Sequence, residues 1–152
     1  MAKRKMLPQT MYTMKSGEVT VKLDLSRFEK QFQKAQFELD SAVMTSMIPY
    51  MPMQDGLFID VTMAQSAALA GSGEVCAAAA PSGRFLYEGE AMVGIESRSA
   101  WAKKGEKKVT TGKKLDYSKK PHPKVQSHWF KAAKKADGEK WIARAKKTAG
   151  GG

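Results

Sequence analysis

A long amphipathic helix over residues 26–48 is the clearest element that the pattern of apolar and polar positions predicts. Apolar side chains recur there at steps of three and four residues, which places them on one stripe of an α-helix. That stripe consists of Phe28, Phe32, Ala35, Leu39, Ala42 and Val43. We expect Ser26 and Glu29 to form a capping box at its start and Pro49 to end it.

The later turns of this helix carry a second apolar face, opposite the first. Phe37, Met44 and Ile48 fall on that face at about 100° per residue. A helix that is apolar on two sides is usually covered on both. We therefore expect one face to pack on a sheet, and the other on the C-terminal helix or on a second subunit.

The chain before the helix divides into an arm and a strand. Residues 19–25 alternate strictly between apolar and polar side chains, which predicts a half-buried strand. Residues 1–17 are rich in apolar side chains without a regular period, Met11 and Tyr12 among them. Such a segment is more apolar than a disordered tail, so we interpret it as an arm that docks on another surface.

The middle of the chain predicts short strands and one short helix. Residues 57–65 alternate as a strand would, residues 67–73 are small turn residues, and residues 74–79 can return as the hairpin partner. A short helix is expected over residues 81–88, closed by Gly89, and a short strand over residues 91–95.

Residues 97–126 differ in character from the rest, because they contain ten lysines and arginines together with turn-forming glycines and prolines. Two brief strands, at residues 109–111 and 115–117, are compatible with a projecting hairpin. Long irregular segments inside a compact domain are usually functional or become ordered on a partner. We expect the segment to be an excursion that becomes ordered on a partner.

The C-terminal part is predicted to be helical with a break. Ser127 is placed to cap a helix from Trp129 onward, and Asp137-Gly138 is expected to interrupt it before Trp141. The predicted organisation is thus an arm at residues 1–17, a single α+β domain at residues 18–149, and a frayed glycine tail at residues 150–152. In that domain the long helix packs on a small, mainly antiparallel sheet.

These patterns assign candidate residues to the core and to contacts with other molecules. The candidate core residues are Phe28, Phe32, Leu39, Val43, Tyr87, Trp129 and Phe130. The candidate subunit or partner contacts are Met11, Tyr12, Phe37, Met44, Ile48, Lys103, Lys104, Lys107, Lys108, Lys113, Lys114 and Tyr117.

Charge and cysteine content narrow the class of protein. The 152 residues carry a net charge of +11, and all of the excess lies in residues 77–152, with 18 basic against 7 acidic side chains. Such asymmetry indicates a polyanionic neighbour, either nucleic acid or an acidic protein surface, with a merely solvated basic face as the alternative. Cys76 is the only cysteine, which excludes an intramolecular disulfide and favours an intracellular or assembly context. The apolar runs predict neither a signal peptide nor a membrane span.

The sequence lacks the residue patterns typical of catalysis or cofactor binding. It has no phosphate-binding glycine loop of the P-loop type, and its two histidines, His122 and His128, stand without cysteine or acidic residues at ligand spacing. We therefore expect no enzyme, no cofactor and no metal. Lysine outnumbers arginine nine to one in residues 97–126, which favours diffuse attraction to phosphates or carboxylates over the reading of bases.

Three short motifs, taken in order, resemble a known family. They are Pro52-x-x-x-Gly56-Leu57, Phe85-Leu86-Tyr87-Glu88-Gly89 and His128-Trp129-Phe130-x-x-Ala133, with a predicted hairpin before the second and the basic segment before the third. In this order and spacing they resemble the minor capsid proteins of tailed phages, which are related to the tail-completion or head–tail joining proteins of long-tailed phages. The likeness covers residues 19–148. At residues 81–84 the chain has Pro-Ser-Gly-Arg where the family often has a tyrosine-alanine pair.

The resemblance implies a structural protein of the virion. It implies a homo-oligomeric ring, a hexamer, at the neck between the portal complex and the tail tube, assembled in the host cytoplasm. Its partners would be neighbouring connector and tail proteins, with packaged DNA close by but not read for its sequence, and no membrane. The alternatives are a tail terminator or head-closure protein of the same neck, or a small basic nucleic-acid-binding module.

Overall fold

Two long helices that pack against each other form the centre of the fold in this computed structural model, which describes residues 7–150. The elements in chain order are β1 (Met11–Ser16), β2 (Val19–Asp24), α1 (Ser26–Met47), a 3₁₀ turn (Ile48–Tyr50), α2 (Leu57–Leu69), α3 (Gly83–Glu88), β3 (Glu90–Gly94), β4 (Lys108–Lys114) and α4 (Trp129–Thr148). The α+β class is confirmed, with two separate two-stranded antiparallel sheets. Predictions for residues 1–6 and 151–152 lie outside the described range.

The hydrophobic core lies where α1, α2, α4 and the 3₁₀ turn meet. Its buried members are Val43, Met44, Met47, Met51, Ile59, Trp129, Ala133 and Trp141. The predicted covering of α1 by the C-terminal helix is confirmed, since α4 is its main neighbour in the described chain. The sheet that was expected to cover the other face of α1 does not pack along this helix.

The start of α1 differs from the predicted capping box. Leu25 occupies the N-cap position without a side-chain hydrogen bond, so the assignment of Ser26 is wrong. The Oδ1 atom of Asp24 instead accepts a hydrogen bond from the backbone N–H of Ser26 at 2.8 Å, and Glu29 accepts one from the N–H of Leu7 at 2.8 Å. Carboxylates are favourable near a helix N-terminus because the unpaired N–H groups leave partial positive charge there. The C-terminal end is close to the prediction, with Pro49 inside the 3₁₀ turn.

Strands β1 and β2 form a ribbon of two strands, which we call the N-terminal ribbon (Met11–Asp24). Residues 11–16 therefore form a regular strand, which their lack of a hydrophobic period did not predict, while the docking of this arm on another surface stays a prediction. The strand predicted over residues 19–25 is confirmed at Val19–Asp24. It is not half-buried, however, because every residue of both strands is exposed.

Helix α2 occupies the residues that were predicted as a strand. Gly56 adopts a left-handed backbone (φ 86°), and the Oδ1 atom of Asp55 accepts a hydrogen bond from the N–H of Leu57 at 3.0 Å, which starts the helix. The side chains that α2 buries are Ile59, Thr62 and Ser66, at helical spacing. The alternation over residues 57–65 was misleading because two of the three buried residues are polar.

Residues 74–79 are not a strand either, because side chains satisfy their backbone groups. The Oγ1 atom of Thr62 accepts from the N–H of Ala79 at 3.2 Å, and the hydroxyl of Ser66 donates to the carbonyl of Cys76 at 2.8 Å. Buried backbone groups need partners, and hydroxyl groups on a helix can supply them as well as a neighbouring strand. This explains why Thr62 and Ser66 are buried.

The basic segment is attached to the domain and does not form a hairpin of its own. Strand β4 pairs with β3, whose existence was predicted, while residues 115–117 form no strand. The N–H of Leu115 donates to the carbonyl of Gly89 at 2.8 Å, and the N–H of Gln126 donates to the carbonyl of Tyr50 at 3.1 Å. The predicted helix before β3 is confirmed as α3, and Gly89 closes it with a left-handed backbone (φ 73°).

Helix α4 runs without interruption, so the predicted break at Asp137-Gly138 is wrong. The cap assigned to Ser127 is also wrong, since His128 holds the N-cap position with a left-handed backbone (φ 52°). Packing against α1 stabilises the second half of the helix, where the indole N–H of Trp141 donates to the hydroxyl of Ser46 at 2.9 Å. Tertiary packing of this kind outweighs the cost of one central glycine, about 1 kcal/mol.

Candidate functional site

The described residues present two exposed surfaces, one apolar and one basic, whose side chains do not pack in the hydrophobic core. Within residues 7–150, no group of three or more His, Cys, Asp or Glu side chains is arranged to hold a metal ion. Among the same residues, no helix is both long enough and apolar enough to cross a membrane.

The first surface is one face of the N-terminal ribbon. The strand register pairs Tyr12 with Leu23, Met14 with Val21 and Ser16 with Val19. Directly opposed residues of an antiparallel pair share a face, so this face is apolar except for Ser16. All six side chains are exposed, with Met14 at 74% and Val21 at 57%. No other element of the described chain covers the face.

The other face of the ribbon is mostly polar. It consists of Met11, Thr13, Lys15, Thr20, Lys22 and Asp24. The two candidate contacts that the sequence assigned to this region, Met11 and Tyr12, are both exposed, but they lie on opposite faces. Only Tyr12 belongs to the apolar face.

The ribbon is held in a fixed direction relative to α1. A single residue, Leu25, separates β2 from α1, and its N–H donates to the carbonyl of Thr10 at 2.6 Å. The bond from the N–H of Leu7 to the buried carboxylate of Glu29 ties the chain before β1 to the same helix. No flexible linker is therefore present that would let the ribbon fold back along α1.

An open apolar groove runs along α1, and we call it the α1 groove. One part has a cavity volume of ≈ 400 Å³ and is lined chiefly by Phe32, Ala35 and Leu39 of α1 together with Ala145 and Ala149 of α4. The adjoining part, of ≈ 350 Å³, shares Gln36 and Leu39 with the first. Its further lining includes Val43, Val75 and Phe130. The predicted apolar stripe of α1 is thus only partly covered.

The candidate core residues are distributed between the core and this groove. Trp129 and Val43 are buried, while Leu39, Tyr87 and Phe130 are half-buried and pack on the core cluster. Phe32 is half-buried in the groove. Phe28 is 49% exposed, so its assignment to the core is wrong, because α4 does not extend over the first turn of α1.

The apolar contacts predicted on the second face of α1 have different fates. Phe37 is 54% exposed and lies beside Gly71. Asp40 holds the turn that contains Gly71 by accepting hydrogen bonds from the N–H groups of Gly71 and Gly73. Ile48 is half-buried against the core. Met44 is only 5% exposed and belongs to the core, so its assignment as a subunit contact is wrong.

The second surface is a compact loop between β3 and β4, residues 95–107, which we call the tryptophan loop. Its two ends are joined by a hydrogen bond from the N–H of Ile95 to the carbonyl of Lys107 at 3.0 Å. Inside the loop, the carboxylate of Glu106 accepts hydrogen bonds from the N–H groups of Glu96 (2.9 Å), Ser97 (2.7 Å) and Lys103 (2.8 Å). These donors, that of Ser97 first, hold the pKa of Glu106 below its ordinary value of 4.5.

Gly94 makes room for this carboxylate. A Cβ atom at Gly94 would overlap with the carboxylate of Glu106 and the hydroxyl of Ser97. The tight approach of the loop to β3 therefore depends on the missing side chain, a common reason for glycine inside a strand.

Trp101 projects from this loop with 90% of its surface exposed. The sequence reasoning did not identify it, because periodicity assigns residues to faces of helices and strands, and Trp101 lies in neither. The signal that was present is a single large aromatic residue between small and basic neighbours. Its N–H donates to the hydroxyl of Ser99 at 3.1 Å, which fixes the backbone that carries it.

The basic candidates are placed differently along the segment. Lys103, Lys104 and Lys107 are exposed in the tryptophan loop, and Lys113 and Lys114 are exposed on β4. Lys108 is half-buried, and its ammonium group donates to the carbonyl of Ala100 at 2.8 Å. Tyr117 is also half-buried, with its hydroxyl donating to the carbonyl of Leu86, and burial raises its pKa. Tyr117 therefore stabilises the fold, and its role as a partner contact stays a prediction.

No family model, curated protein or solved structure matches this chain.

Proposed function

We propose that the protein is a structural component of a tailed-phage virion that joins head and tail as a ring of identical copies at the neck. The observation that supports this most directly is the uncovered apolar face of the N-terminal ribbon. The location of the ring between connector and tail tube is proposed from the three motifs that resemble the minor capsid family. A tail terminator or a head-closure protein of the same neck is the alternative role.

An uncovered ribbon of this kind favours an assembled state. An isolated two-stranded ribbon is at best marginally stable in water, and burial of apolar surface contributes about 25 cal/mol per Å². The exposed side chains of Tyr12, Met14, Val19, Val21 and Leu23 lie side by side on one face. Covering them would stabilise both the ribbon and the contact that covers it.

We assign the α1 groove of a second copy as the surface that covers the ribbon. The groove is mainly apolar, with Gln36, Asp40 and Lys146 as its polar lining, and it extends from Phe32 to Val43, about 17 Å at 1.5 Å per residue. Each ribbon strand has six residues, which corresponds to about 20 Å. The ribbon of the same copy does not reach this groove, since Leu25 alone connects it to α1 and is itself hydrogen-bonded to Thr10.

Because ribbon and groove are different surfaces, their contact is heterologous. Repeated heterologous contacts produce a ring when the rotation closes and a filament when it does not. A ring around a channel is the form that a neck component requires. This mechanism is one of assembly, with no bond made or broken.

Charge substitutions on the two faces of the ribbon test the contact. Met14→Glu with Val21→Glu places two carboxylates on the apolar face, and Thr13→Glu with Thr20→Glu places the same two on the polar face as a matched control. We expect light scattering after size exclusion to show multimers for the unmodified chain and the control, and monomers for the apolar-face variant. Equal masses for all three proteins would contradict the assigned contact.

Loss of the protein from the particle tests the proposed place. We expect full heads and complete tails to accumulate unjoined when the gene is inactivated, and a particle reconstruction to show a ring of copies at the head–tail junction. Overlong tails would favour a terminator, and heads that lose their DNA would favour a closure protein. Normally joined particles would overturn the proposal.

A further inference from the structure

We propose that the tryptophan loop is a binding site for single-stranded nucleic acid, independent of the ring contact. In this site Trp101 stacks on an unpaired base, and Lys103, Lys104 and Lys107 contact the phosphates. Neither the proposed neck role nor the resemblance assigns a function to Trp101.

The exposure of Trp101 is the first support. Large aromatic side chains are normally more than half buried, and an indole at 90% exposure leaves its ring faces free for a planar partner. Replacing an aromatic side chain that stacks on a base by alanine weakens the affinity for the nucleic acid by roughly 5- to 150-fold. A duplex offers no unpaired base, so the ligand is a single strand.

The rigidity of the loop is the second support. Glu106 accepts hydrogen bonds from three backbone N–H groups that lie on both sides of Trp101 in the chain. The ammonium group of Lys108 donates to the carbonyl of Ala100, which directly precedes Trp101. A loop that is already ordered loses little conformational entropy when it binds. Trp101 is thus presented in a fixed position and does not need to be ordered by the ligand.

The charge around Trp101 decides between a nucleic acid and a protein as the partner. Arg98, Lys103, Lys104 and Lys107 are exposed in the loop, while Glu96 is its one exposed carboxylate and Glu106 is engaged by N–H groups. Lysine is depleted in the centres of protein–protein interfaces, although tryptophan is enriched there. Aromatic side chains in a positively charged surface are the usual arrangement for non-specific single-strand binding.

Two ligands of equal charge separate stacking from phosphate attraction. Fluorescence anisotropy is measured with a labelled 20-nucleotide oligothymidylate and with an abasic oligomer of the same length, at 50–300 mM salt. We expect the oligothymidylate to bind more tightly than the abasic oligomer. Trp101→Ala should weaken oligothymidylate binding by about tenfold and leave abasic binding unchanged, while Trp101→Phe should retain most of the affinity.

Substitution of the lysines tests the phosphate contacts. Lys103→Ala, Lys104→Ala and Lys107→Ala together should weaken both ligands and reduce the slope of log K against log salt by about 2. The charge-matched control replaces Lys131, Lys134 and Lys135, which are exposed on α4, and should change the slope less. Unchanged far-ultraviolet circular dichroism and melting midpoints establish that all variants are folded.

Three binding results would overturn the proposal. They are equal binding of the two ligands, full oligothymidylate affinity in Trp101→Ala, and no oligomer binding by the unmodified protein at 50 mM salt. None of them bears on the ring, because the ribbon variants leave the tryptophan loop intact and the loop variants leave the ribbon intact. A Trp101→Ala protein that fails only to join heads to tails would assign the loop to a protein partner and also reject the nucleic-acid site.

Discussion

The indole N–H of Trp129 donates a hydrogen bond to the carbonyl oxygen of Ala77 at 2.7 Å, across 52 residues of chain. Trp129 is fully buried, and its ring packs edge-on against Phe58 and Tyr87, with centroid distances of 6.0 and 4.9 Å. This one side chain therefore connects the start of α4 to α2, to α3 and to the irregular segment before α3.

Replacing Trp129 by alanine should lower the free energy of unfolding by about 3 kcal/mol or more, because the substitution leaves a large cavity and an unpaired carbonyl. Urea denaturation followed by circular dichroism measures the change. Trp101→Ala serves as the control and should stay within about 0.5 kcal/mol, since exposed side chains contribute little. An unchanged midpoint for Trp129→Ala would place this residue outside the core.

Replacing Gly138 by alanine should stabilise the protein by about 0.5–1 kcal/mol, because glycine in a helix interior loses more backbone entropy than alanine. A Cβ atom at Gly138 would meet only Lys134 Cγ at 3.5 Å, an ordinary contact. Thermal unfolding measures the gain.

Gly112→Ala is the comparison for Gly138→Ala. Its site is open, but its left-handed backbone (φ 72°) is strained for alanine, so we expect destabilisation by about 1 kcal/mol. Destabilisation of similar size by Gly138→Ala would contradict a continuous α4 and support the break that the sequence predicted.

Replacing Gly94 by alanine should loosen the tryptophan loop, since the new Cβ atom would displace the carboxylate of Glu106. Faster tryptic cleavage after Lys103 and Lys104 measures the loosening. Glu106→Ala should produce the same effect, and the double variant should be little worse than either single one, because both changes remove the same set of hydrogen bonds. Additive effects would show that Gly94 and Glu106 act separately.

Acid should release the same loop. The N–H groups of Ser97 and Lys103 lower the pKa of Glu106 below 4.5 in the folded protein. The stability that these hydrogen bonds give the folded loop is therefore fully present above about pH 4.5. It is lost as the pH falls through the lowered pKa. Amide chemical shifts of Ser97 and Lys103 should therefore titrate with a midpoint below 4.5, and Glu106→Gln should remove that titration. A midpoint at or above 4.5 would show that these N–H groups do not stabilise the ionised carboxylate of Glu106.

The candidate surfaces were accessible to sequence reasoning only in part. The excess of lysine in residues 97–126 and the apolar character of Met11 and Tyr12 are visible along the chain, because charge and hydropathy are local properties. The apolar face of the ribbon was missed, since it exists only once the register brings Tyr12 and Met14 opposite Leu23 and Val21. Trp101 was missed because it lies in neither a helix nor a strand, so that no periodicity assigns it to a face, and its exposure is visible only in the folded loop.

By itself, the sequence determined the elements whose signals are local. The stripe from Phe32 to Val43 specifies α1, Gly89 ends α3, and alternation specifies β2, because backbone geometry and side-chain period act within a few residues. Only the tertiary structure decided that residues 57–69 form a helix and that α4 continues through Gly138. Thr62 and Ser66 lie buried because they satisfy backbone groups of residues 76–79, and packing of Trp141 against α1 stabilises the far half of α4. Contacts between residues distant in sequence supply that free energy, and no local pattern records them.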